Sequence, residues 1–92
     1  MPKAVDILTT AAGLVGGERD RLHGDKHQTF TNIARLWNAY LMIRRDAASE
    51  LTAKDAAVMM MLLKAARMES GLTNPDDAVD AAGYAAIAGE LA

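Results

Sequence analysis

Ninety-two residues suffice for one small domain, and a formal net charge of -2 with no Lys/Arg block excludes a protein that tracks duplex nucleic acid through its phosphates. The 51% hydrophobic share is mostly Ala, Leu, Val and Met, with one Trp, one Phe and two Tyr, so strand-formers are scarce and an all-α chain is expected. The lack of cysteine excludes disulfide scaffolds, thiolate nucleophiles and cysteine zinc sites, which suits a reducing cytosol.

The chain reads as a single domain over residues 1–92, with no internal repeat and no linker long enough to divide it. A fold this small buries a modest share of its surface, so a partner chain would help it. The longest unbroken apolar run, Ala56 to Leu63, is far short of a membrane span.

Taken in chain order, the first helix is expected from about Pro2 to Val15, with Val5, Leu8, Ala12 and Val15 on one stripe and Gly16-Gly17 as its stop. The short apolar start resembles an export signal only superficially, because Asp6 and two Thr interrupt a helical pattern. A polar connection follows, "ERDRLHGDKHQ", broken by Gly24.

From about Lys26 to Asp46 the residues Phe30, Ile33, Ala34, Trp37 and Leu41 mark the apolar face of a second, longer helix, with Trp37 as a main core anchor. In "LTAKD" Thr52 is an N-cap answered by Asp55, a shorter stand-in for the Glu of a capping box, and a third helix runs to about Ser70. Gly71 closes it. "TNPDD" then opens a fourth, with Asn74 as N-cap, Pro75 at the first helical position and two aspartates where the helix dipole favours them; it runs to about Leu91. The Ala and Gly of this last helix suggest close approach of another helix. Short links between four helices suggest an up-and-down bundle.

The third helix is apolar nearly all round, yet Lys64 and Arg67 lie one turn apart within it. On the fourth, Asp77, Asp80 and Tyr84 share a face. A tight turn near residues 72 and 73 sets Arg67 near Asp77 or Asp80, and Lys64 near Asp80 or Tyr84. One reading of this seam is an ion-pair network that fixes helix register, with each pair worth roughly 0.2–0.5 kcal/mol. The other is a ligand site: Lys64 and Arg67 hold phosphate oxygens, while Asp77 and Asp80 hold Mg²⁺ or a ligand hydroxyl.

Arg19, His23, Asp25 and Lys26, around Gly24, could present side chains and amides to the same anion as a polar lid. His23 and His27 do not make a zinc site, because Gly24 breaks the helix between them and no other His completes the ligand set. Neither Ser49 nor Ser70 sits in a nucleophile elbow, and Met59 to Met61 read as core filler.

Taken together, "GERDRLHGDKHQTFTNIARLWNAYL", "LTAKDAAVMMMLLKAARM" and "NPDDAVDAAGYAAIAGEL", in this order, resemble a family of small phage and prophage proteins of uncharacterised function, over roughly residues 12–91. The matching positions are His23-Gly24, Asn32, Ile33, Leu36 and Trp37, Asp55 through Arg67, and Asp80, Gly83 and Tyr84. His23 stands where the family usually has Tyr. These proteins look distantly similar to the MazG-like, all-α nucleoside triphosphate pyrophosphohydrolases and to nucleotide-modification-associated phage domains. That resemblance implies a bundle that oligomerises and binds a nucleotide, with Mg²⁺ as a cofactor if it is catalytic. The MazG-like enzymes use Glu-x-x-Glu and Glu-x-x-Asp motifs; this chain has no Glu-x-x-Glu, and Asp77-x-x-Asp80 is its nearest substitute. A non-enzymatic nucleotide-sequestering bundle and a purely structural or interaction bundle are the competing expectations.

Overall fold

The computed structural model describes residues 1–16, 25–71 and 74–92. Four helices, α1 (Ala4–Gly16), α2 (Lys26–Ile43), α3 (Ala53–Met68) and α4 (Pro75–Glu90), account for most of them, and no strand occurs among the described residues.

The helix starts follow from local chemistry. Thr52 caps α3 by accepting the Asp55 amide (3.2 Å), while Asp55 Oδ2 accepts the Thr52 amide (2.8 Å), so two otherwise orphaned N–H groups are satisfied reciprocally. Asn74 caps α4 by accepting the Asp76 amide (3.0 Å), with Pro75 at the first position. Asp25 caps α2 by accepting the amides of His27 and Gln28, a role that its place beside a glycine had obscured. At the other end of α3, Ser70 Oγ donates to the Ala66 carbonyl (3.0 Å), and Gly71 takes a positive φ of 57°, which a side chain would resist.

Packing centres on α3. α2 runs antiparallel to it, pinned at two levels: the Trp37 indole N–H donates to the Met59 carbonyl (2.7 Å), and the Tyr40 hydroxyl donates to Asp55 Oδ1 (2.6 Å). The α2–α3 connection is tied by Arg44, whose Nη2 donates to the Ser49 carbonyl (2.7 Å), the Ser49 hydroxyl (2.8 Å) and the Glu50 carbonyl (3.1 Å). That fold-back ends α2 at Ile43, three residues before the expected Asp46. α4 returns along the opposite flank of α3 and makes the more extensive contact.

Among the described residues the buried apolar ones are few: Ile33, Ala57, Ala66 and Ala88. Four expectations change. Ile33 is buried as expected, but Phe30 is 61% exposed and Ala34 is exposed, and Thr29 is buried where an apolar residue was expected; the polar anchors at Trp37 and Tyr40 suit this slightly turned face of α2. The α1 stripe of Val5, Leu8, Ala12 and Val15 is exposed, and no α1 residue is buried, so the shared core comes from the other three helices. Met59 to Met61 are half-buried rather than core. The glycines of α4 do not mediate a close approach: a Cβ added at Gly83 or Gly89 would meet nothing within 4 Å.

Candidate functional site

α4 packs along α3, and this places Lys64 against Asp80 with an Nζ–Oδ2 distance of 2.9 Å. The two ends of that pair differ in freedom. The Lys64 side chain is 15% exposed, held among the helices by its apolar stem, while Asp80 is 45% exposed and reaches water.

One turn nearer the hairpin, Arg67 is half-buried, and its Nε is buried without a hydrogen-bond partner. Among the described residues it forms no ion pair with Asp77 or Asp80, the carboxylates it was expected to lie near. A guanidinium N–H shut away from water with nothing to donate to is costly, and native structures keep such groups rare. Asp77 is buried, at 3% exposure, in the first turn of α4, where the helix dipole favours a carboxylate. Tyr84 is half-buried one turn beyond Asp80.

Of the residues that periodicity grouped, one pair is in contact. Lys64 and Asp80 meet directly, while Arg67, Asp77 and Tyr84 are carried on the same two packed helices. Of the polar lid, Asp25 serves as the N-cap of α2, and Lys26, at the first position of α2, is exposed and engaged in an interaction of its own. Arg19 and His23 lie outside the described residues. Among the described residues no three His, Cys, Asp or Glu side chains converge as a metal cage.

A second polar cluster, at the other end of α3, was only half visible in the sequence. Asp55 accepts from Tyr40 on one oxygen and from the Thr52 amide and hydroxyl on the other, with the Arg44 guanidinium 3.8 Å away. The hydrogen bonds from Tyr40 and from the Thr52 amide hold the Asp55 carboxyl well below its ordinary range, at about 2. The same bond pushes the Tyr40 phenol up from its ordinary 10.0, since losing its proton would break it and set two anions together. The capping spacing identified Asp55; nothing local in the sequence joins it to a tyrosine in the preceding helix.

The geometry can now be set beside known proteins. A domain-family model matches residues 6–92, described as a domain of unknown function, DUF6378. The chain belongs to that family. This DUF6378 chain is 44% identical over 84 residues to the Gene 55 protein of Mycobacterium phage L5, covering 90% of this chain and 50% of that protein. It is 35% identical over 79 residues to the Gene 55 protein of Mycobacterium phage D29, covering 86% and 48%. The chain thus spans about half the length of the curated relatives it matches. No solved structure matches it. No helix among the described residues is long and apolar enough to cross a membrane.

Proposed function

We propose that this is a phage-type helical protein, MazG-like in its organisation, that binds a nucleotide or another small phosphorylated ligand in the α3–α4 seam. The observation that carries the reading is the buried, unpartnered Nε of Arg67 beside a lysine already committed to an ion pair. A phosphate oxygen is the acceptor such a donor lacks, and a guanidinium is suited to it. Lys64 supplies a second cation, Tyr84 a ring and hydroxyl at the edge, and Asp77 and Asp80 acceptors for a ligand hydroxyl.

Mg²⁺ fits this reading as a companion of the phosphates, since that ion commonly keeps several waters and uses one or two carboxylates, here Asp77 and Asp80. The carboxylate-rich sets of the MazG-like pyrophosphohydrolases are not matched among the described residues. We therefore favour binding without hydrolysis, in a cytosolic setting where nucleotides are abundant. The structural reading has its own support in the 2.9 Å Lys64–Asp80 contact, which closes part of the seam on itself.

Thermal shifts with a panel of canonical, modified and cyclic nucleotides, with and without Mg²⁺, separate these readings. A ligand at a hundred times its Kd should stabilise the wild-type chain by about 2.7 kcal/mol. Arg67→Met and Asp80→Asn should lose most of that shift. Release of pyrophosphate or phosphate in the same samples would restore the enzymatic reading. If every nucleotide leaves the melting temperature unmoved, the seam is structural.

A further inference from the structure

Helix α3 is covered on two flanks: toward α2 at Asp55 and the Met59 carbonyl, and toward α4 at Lys64. A further stripe of α3, bordering α2 on one side, carries Lys54, Val58, Met61, Ala65 and Met68, with the alternating four- and three-residue spacing of a coiled-coil seam. Val58, Met61 and Ala65 are half-buried; Lys54 is exposed, and Met68 is 53% exposed. Open depressions border this face at both ends. One, of about 710 Å³, is lined by Lys54 and Val58 with Tyr40 and Ile43 of α2; the other, of about 410 Å³, by Ala65 and Glu69 with Arg35 and Leu36 of α2, so the edge of α2 frames the face.

We propose that this outer face of α3 docks on the same face of a second copy of the chain. The two helices would be antiparallel, about a twofold axis passing between Met61 and Leu62. The occupant is indicated by the charges at the two ends of the face. Lys54 and Glu69 are both exposed and lie equally far from that midpoint. The twofold therefore sets each Lys54 against the partner's Glu69, twice over, and each Val58 against the partner's Ala65, where the small side chain leaves room. A parallel pairing would instead put lysine on lysine. Self-complementarity of this kind is what an isologous interface requires. It also supplies cover for a central helix in which no residue from Val58 to Ala65 is buried. The α4 flank with Lys64 and Asp80 stays free, so this inference does not depend on the ligand reading.

Sedimentation of the full chain across micromolar concentrations tests it, with helicity checked by circular dichroism. The wild type should sediment as a dimer. Met61→Glu, beside the axis, should give a helical monomer. Lys54→Glu and Glu69→Lys each convert two attractive pairs into two repulsive ones and should weaken the dimer roughly tenfold. The double reversal, Lys54→Glu with Glu69→Lys, should return it to wild-type strength. A monomeric wild type, a Met61→Glu variant that stays dimeric, or a double reversal no tighter than the single ones would each overturn the proposal.

Discussion

The Tyr40 hydroxyl lies 2.6 Å from Asp55 Oδ1 and joins the last turn of α2 to the first turn of α3. Because the acceptor is also the capping carboxylate of α3, the bond ties tertiary docking to local helix geometry. Tyr40→Phe removes the donor and keeps the ring. We expect it to cost about 1–2 kcal/mol, the range for a hydrogen bond to a charged group discounted for partial exposure, read from the urea midpoint at unchanged m-value.

The same carboxylate sets an acid dependence. Its folded-state pKa, about 2, lies below the ordinary 3.8, so the unfolded chain takes up a proton first as pH falls. Its contribution to stability is complete above 3.8 and is lost progressively as pH falls toward 2. Tyr40 works in the opposite sense at the alkaline end: its contribution is complete below 10.0 and is lost as pH rises through and beyond that value. Melting temperatures of wild type and Tyr40→Phe should therefore differ most near neutrality and converge in acid. Curves that remain parallel down to about pH 2 would refute the assignment.

Gly83 sits in the interior of α4 with open space where a Cβ would go. Gly83→Ala should stabilise the chain by about 0.5–1 kcal/mol through helix propensity and the loss of unfolded-state freedom. A melting temperature several degrees higher is the expected result. A fall would mean that something in solution approaches this surface closely.

Protection should be uneven along the chain. Amides of α1, which has no buried residue, should exchange at nearly the rate of an isolated helix, whereas those in the middle of α3 should require global unfolding. Hydrogen-exchange mass spectrometry resolves the two segments directly. Equal protection in both would show that α1 is covered in solution.

The parts of this fold that were legible in the sequence are those decided within a few residues. The caps at Thr52 and Asn74, the proline at the start of α4 and the glycine after α3 each act on neighbouring backbone, and each is found where it was expected. The Lys64–Asp80 pair was legible for a related reason, since a short turn fixes which residues of two helices face each other. The rotation of α2 was not. Its apolar residues allow more than one inward face, and the choice falls to Trp37 and Tyr40, whose polar atoms find partners on α3 that no local pattern records. Phe30 and the α1 stripe were misplaced because amphipathicity says what a helix can bury and not what it will meet.

The hairpin of α3 and α4 also bears on the order of folding. Its contacts join residues close in sequence through a short turn, so little loop entropy is lost in forming them, and they should appear early. The link from α2 to α3, residues 44–52, is longer than that from α3 to α4, residues 69–74, so Tyr40 is brought in over the longer connection to reach a carboxylate that α3 has already oriented by capping its own first turn. The Tyr40–Asp55 bond should accordingly act as a latch closed late: removing it should speed unfolding and leave the refolding rate nearly unchanged.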